Sequence, residues 1–150
     1  MANEIRPLAI CVFRNEGRIL VAHGTDPVNG AHFMRPLGGR IEFGELAAAA
    51  LRREVREELH VEIDHPELLG VMENLFVYGG ESNHEIVFVF DACFRDRSLY
   101  ERQEIPIAED IWDGPATWVP LDGLASGGAP LYPDGLLELV KHSGPTVPSR

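Results

Sequence analysis

The sequence is poor in positive charge. Thirteen Lys and Arg stand against 24 Asp and Glu, a formal net charge of −11 over 150 residues. A nucleic-acid-binding surface needs clustered basic side chains, so a nucleic acid polymer is not an expected partner. Long apolar runs are also missing. Nothing reaches the roughly 18 residues that a membrane-spanning helix requires, so no membrane partner is expected. The first segment, "MANEIRPLAICVF", places Glu4 before a short apolar run and has no basic stretch, so a signal peptide is not expected. Cysteine is scarce. Cys11 and Cys93 both lie in apolar, strand-like runs, which reads as two buried thiols in a reducing compartment. These absences point to a cytoplasmic protein. The length suggests a single domain over residues 1–144, with "PTVPSR" (145–150) as a flexible tail. A homodimer is compatible with such a chain.

What is present is a mixture of strands and one strong helix. "LAICVFRNEGRILVAHG" reads as two strands around the turn-forming "RNEG". "TDPVNGAHF" is a Pro/Gly/Asn-rich loop, and "MRPLGGRIEFGE" is irregular. From Glu45 to Leu59 there is no Gly or Pro, and Ala, Leu, Arg and Glu dominate, which is a helix. "ELLGVMENLFVY" and "HEIVFVFDACF" read as strands joined by "GGESN". "DRSLYERQEIPIAEDIWDGP" reads as a long polar loop, "ATWVPLDGL" as a strand and turn, and "PDGLLELVKHSG" as a short closing helix. Strands surrounding an internal helix, with another helix at the end, make the fold class α/β, arranged as a sandwich.

The helix carries a charge problem. Leu51, Val55 and Leu59, with Ala48, form the apolar stripe that faces a core. Arg52, Arg53 and Arg56 lie on one flank of that stripe, and Glu54, Glu57 and Glu58 on the other. Glu54 and Glu58 are four apart, and like charges at that spacing cost about 0.2–0.5 kcal/mol. Glu57 and Glu58 sit near the helix C-terminus, where the macrodipole disfavours anions by about 0.3–1 kcal/mol each. Glu58 borders the apolar stripe and should be partly buried. One reading is a solvated face in which Arg53 pairs with Glu57. The other is a site for a divalent cation, which removes all three penalties together. Glutamate oxygens are hard ligands suited to Mg²⁺ or Mn²⁺. Just upstream, Gly38 and Gly39 allow close approach of the backbone to a ligand.

These residues resemble the Nudix box, G-x5-E-x7-R-E-U-x-E-E-x-G-U, where U is a bulky aliphatic residue. Gly39, Glu45, Arg53, Glu54, Val55, Glu57, Glu58 and Val61 occupy its fixed positions, and His60 stands where the box has glycine. The resemblance implies a Nudix-like α/β/α sandwich with a mixed β-sheet. It implies metal-dependent hydrolysis, with Mg²⁺ (or Mn²⁺), of the pyrophosphate link in a nucleoside diphosphate joined to another group X. It further implies that Glu54, Glu57 and Glu58 hold the metal, that the Gly39 carbonyl adds a ligand, and that Arg53 pairs with Glu45 to orient the carboxylates. His60 falls at a helix-ending position, where a left-handed non-glycine residue costs about 1 kcal/mol.

A general base is sought among the box glutamates and in the loop before Trp118. Glu109 is the nearest candidate there, followed by Glu104 and Asp110, each of which could equally be a solvated loop carboxylate. Arg35 could reach a substrate phosphate as a bidentate donor. Gly38 and Tyr78 complete the substrate-binding candidates, and Phe33, Phe76 and Trp112 could stack on a base or simply pack. Glu85 reads as a solvated charge at a strand end. The expected partner is a small-molecule nucleotide. The alternative is a non-catalytic nucleotide sensor on the same fold. A diphosphate isomerase would want a catalytic cysteine, and neither Cys11 nor Cys93 lies in a site-like segment.

Overall fold

The computed structural model describes residues 3–124 and 128–143, so the tail expected at 145–150 lies outside the described residues. Two sheets form the middle layer. In the first, β5 (Leu37–Arg40), β1 (Ile5–Val12), β7 (Glu81–Phe94) and β6 (Ile63–Tyr78) lie in that order. β1 pairs antiparallel with β5 and parallel with β7, so the sheet is mixed. In the second, the order is β2 (Arg14–Asn15), β3 (Arg18–Thr25), β9 (Ala116–Pro120) and β8 (Glu104–Ile105), with β4 (His32–Arg35) also on β3. Helix α1 (Ala47–Leu59) packs on β5 and β1, and α2 (Leu136–Ser143) packs against β6.

The apolar run from Leu8 to Phe13 is explained by this order. β1 has a strand on each side and side chains buried on both faces, the condition under which strands lose their alternation. It also corrects the expected hairpin. The turn at Glu16 and Gly17, both at positive φ (53° and 76°), joins only the two-residue β2 to β3. β1 belongs to the other sheet, where β5 and β7 satisfy both of its edges.

One residue separates β4 from β5. Pro36 has no N–H to give to a ladder, and here the chain leaves the second sheet and enters the first. Arg35 and the Gly38–Gly39 pair are thus neighbours in sequence on different sheets. The polar loop after β7 also holds more structure than its composition suggested: a 3₁₀ turn at Arg97–Glu101 and strand β8. Asp96 starts that turn by accepting the Ser98 N–H at 3.0 Å.

Helix α1 buries Ala50, Leu51, Val55 and Leu59 against Ala9, Cys11 and Phe90 of the first sheet and Leu20, Ala22 and Trp118 of the second. Burying one such aliphatic side chain is worth about 1.5–3 kcal/mol, so the stripe fixes the helix over both sheets. α2 covers the other side, where Leu136 and Val140 meet Ile10, Val12, Val87 and Val89. Cys11 and Cys93 are both free and buried.

His60 ends α1 in the left-handed conformation, φ 60° and ψ 36°, and its N–H caps the Arg56 carbonyl at 2.9 Å. Its Cβ makes that geometry costly. His60→Gly keeps the capping bond and removes the strain. It should raise unfolding stability by about 1 kcal/mol in denaturant titration; a loss of stability would show that the imidazole contributes more than its backbone costs.

Candidate active site

One guanidinium organises the start of the site. Glu45 lies two residues ahead of α1, and Arg53 lies two turns into it. Arg53 donates Nε to Glu45 Oε2 at 2.7 Å and Nη2 to Glu45 Oε1 at 2.8 Å, a bidentate pair. Nη2 also reaches the Arg40 carbonyl at 2.9 Å, and Nη1 reaches Glu54 at 2.9 Å and Glu57 at 3.3 Å. The Arg53 bond holds the Glu45 carboxyl down at about 2, helped by the Glu42 N–H that it accepts at 2.9 Å. The loop between β5 and α1 is therefore tied to the helix.

The three glutamates then diverge. Glu57 is the exposed one and pairs with Arg53. The Glu54 side chain is 15% exposed. Burial raises its pKa, while Arg53 pulls the other way. Glu58 is only 2% exposed, deeper than its position beside the stripe suggested. Its Oε1 accepts the Gly38 N–H at 3.1 Å. Its carbonyl accepts the Ala108 N–H at 2.8 Å, which pins the loop before β9 to the helix. That bond sets Glu109 beside Glu58, so the two carboxyls meet. Burial first, then Glu109 and Glu54, push the Glu58 carboxyl up to about 9.

The glycine pair lets β5 approach this face. Gly38 has φ 144°, and a side chain there would run into the Ala9 carbonyl of β1. A side chain at Gly39 would fall on the Glu54 carboxyl. Gly38 thus supports Glu58 through its N–H, and Gly39 brings bare backbone against Glu54.

The residues fit a hard divalent cation, although among the described residues no three carboxylates converge on one point. Glu57 turns to Arg53, while Glu58 turns inward to Gly38 and Glu109. The fit lies in the donor chemistry: every candidate atom is a carboxylate or carbonyl oxygen. Glu58 is buried where it meets Glu109, burial and the neighbouring carboxylates oppose its ionisation, and a cation there would favour it.

The remaining candidates fall into two groups. Phe33 gathers rings around it: Tyr78 edge-on at 5.9 Å, Trp112 at 6.4 Å and Tyr132 at 5.9 Å. Phe76 lies on β6, two residues before Tyr78. Trp112, Glu104, Glu109 and Asp110 line an open cleft of about 490 Å³ on the Glu109 loop. Arg35 is elsewhere, donating to Glu85 at 3.0 Å. Glu85 corrects the sequence reading. It is 3% exposed, within β7, and also bonded by Asn74 and Arg6. Strand parity carried the signal, because Glu85 shares its face with Val87 and Val89, both in the core.

The NUDIX domain family model matches residues 5–137. Solved structures with the same fold include a MutT NUDIX hydrolase from Burkholderia pseudomallei, with TM-score 0.66 and 23% identity, over 91% of this chain and 97% of that one. A NUDIX hydrolase from Nitrosomonas europaea gives 0.60 and 18%, over 94% and 90%. A MutT protein from Methanosarcina mazei gives 0.62 and 17%, over 95% and 94%.

The Glu58 carboxyl sets a pH dependence. Its folded pKa of about 9 lies above the ordinary 4.5 of the unfolded chain. The folded state holds the proton longer, so this group's contribution is full below pH 4.5 and falls as pH rises toward 9. Glu58→Gln mimics the protonated form. In EDTA its melting temperature should exceed that of the parent at pH 8 and approach it at pH 4.5. A Glu58→Gln variant that melts lower at pH 8 would mean that Glu58 is ionised there.

Proposed function

This chain belongs to the Nudix family of hydrolases, and from that premise we propose that it cleaves the pyrophosphate link of nucleoside diphosphates joined to another group, using Mg²⁺ or Mn²⁺. The observation that carries the reading is the buried Glu58 carboxyl, set against Gly38 and Glu109 on a helix that Arg53 ties to the preceding loop. A structural helix gains nothing from a carboxylate buried on its interior face beside other carboxylates. A cation holder does. When bound, the divalent cation supplies charge neutralisation of the phosphate oxygens and activation of the attacking water.

The chain's own groups have separable roles. Glu54, Glu57 and Glu58 hold the cation, with the Gly39 carbonyl as a further donor. Arg53 and Glu45 keep Glu54 and Glu57 oriented by fixing the helix to the β5 loop. Glu109 is the candidate for the proton that leaves the attacking water, because it stands against Glu58 on a loop pinned by the Ala108 N–H. The rings around Phe33 provide an apolar surface for a base. Small-molecule nucleotides are the partners and the cytoplasm is the setting, in keeping with the free buried thiols.

The test is product release from NTPs, NDPs, ADP-ribose, nucleotide sugars and diadenosine polyphosphates, each with Mg²⁺, Mn²⁺ or EDTA. Turnover should need the metal, and Glu57→Gln and Glu58→Gln should each lower kcat by at least about 100-fold. Nucleotide binding without turnover anywhere in the panel would contradict hydrolysis and leave a sensor.

A further inference from the structure

A second charged cluster lies outside the metal-holding face. Glu85 is buried, and its Oε1 accepts from Arg35 at 3.0 Å and from Asn74 at 3.3 Å. Its Oε2 accepts from Arg6 at 3.4 Å, and Arg6 also donates to Asn83 at 2.6 Å. Two guanidiniums therefore share one carboxylate, and the cluster carries one surplus positive charge in a chain whose net charge is −11. A purely structural pair would need a single arginine. Holding a second, partly exposed guanidinium beside the first costs like-charge repulsion and some desolvation.

The surplus is positioned to be used. Arg35 commits one Nη to Glu85, and its side chain is 16% exposed; Arg6 is 33% exposed. A guanidinium fixed at one corner keeps its other N–H groups for a planar, bidentate anion. Arg35 is also tied to the metal-holding face by a short stretch of chain. Gly39 is only four positions further along the chain, so the two Cα atoms are at most about 14 Å apart. Phe33, two residues before Arg35, packs on Trp112 of the loop that carries Glu109.

We propose that Arg35 and Arg6, held in place by Glu85, form an anion subsite for a terminal phosphate of the substrate, which selects nucleotides ending in a phosphate over nucleotide sugars. The selection rests on the nucleotide reading above; the anion site itself does not. Glu85 acts as a positioning residue. Asn74 holds the same Glu85 oxygen that takes the Arg35 bond, which keeps that guanidinium oriented.

The test has two arms. In the first, inorganic phosphate and pyrophosphate are titrated into the parent protein in EDTA, and arginine Nε–Hε resonances are followed by NMR. Arg35 should shift saturably, and Arg95, which pairs with Asp64 on the surface at 2.9 Å, should not. No Arg35 shift at millimolar pyrophosphate would overturn the subsite. A saturable shift in a protein that hydrolyses nothing would uphold the subsite while the hydrolase reading falls. In the second arm, kcat/KM is compared for an NTP and for ADP-ribose. Arg35→Ala should reduce the value for the NTP at least ten-fold more than the value for ADP-ribose, mainly through KM. Arg35→Lys should recover part of the loss, and Arg95→Ala, with the same charge change, should alter neither substrate. Equal losses for both substrates would overturn the selection of a terminal phosphate.

Discussion

The structure depends on mutual repulsion among carboxylates and on the one guanidinium set against it. Arg53 reaches Glu45, Glu54, Glu57 and the Arg40 carbonyl from a single side chain. It ties loop to helix and compensates Glu54 and Glu57, but it does not reach Glu58. That carboxyl is left inside, against Gly38 and Glu109, with burial and neighbouring negative charge both favouring its neutral form. The local arrangement calls for one more positive charge than the chain provides, and a divalent cation is the simplest source.

Much of this was legible in the sequence. Three glutamates on one flank of a helix, two of them four apart, conflict with helix electrostatics, and that conflict marks the candidate site. The apolar stripe of Leu51, Val55 and Leu59 gave the buried face, and the structure places these residues in the core beneath α1. The left-handed His60 followed from its place after the last helical turn. The expected pairing of Arg53 with Glu57 is present too, as one part of a larger network.

What the sequence left open depended on tertiary placement. The partner of β1 was misjudged because the "RNEG" turn is a genuine hairpin turn, and local chemistry cannot say which strand it closes. Glu109 was one of three loop carboxylates. A backbone bond from Ala108 to the end of α1, across 50 residues of sequence, sets it apart. Glu85 reads as a strand-end charge in the sequence because β7 begins three residues before the His84 at which the strand pattern starts. The added residues move Glu85 inside the strand, where only Arg35, Arg6 and Asn74 make its burial tolerable. In this reading the crossing at Pro36 joins two charge systems, carboxylates beneath Gly38–Gly39 and guanidiniums beside Arg35, along one short segment.

The measurement that tests the central claim most directly is anomalous diffraction from crystals grown with Mn²⁺. The account predicts a peak bounded by Glu54, Glu57, Glu58 and the Gly39 carbonyl, with Glu57 turned away from Arg53 to reach it. A protein that hydrolyses nucleotides in Mn²⁺ but binds the ion elsewhere, with Glu58 still bonded to Gly38 and unligated, would contradict it.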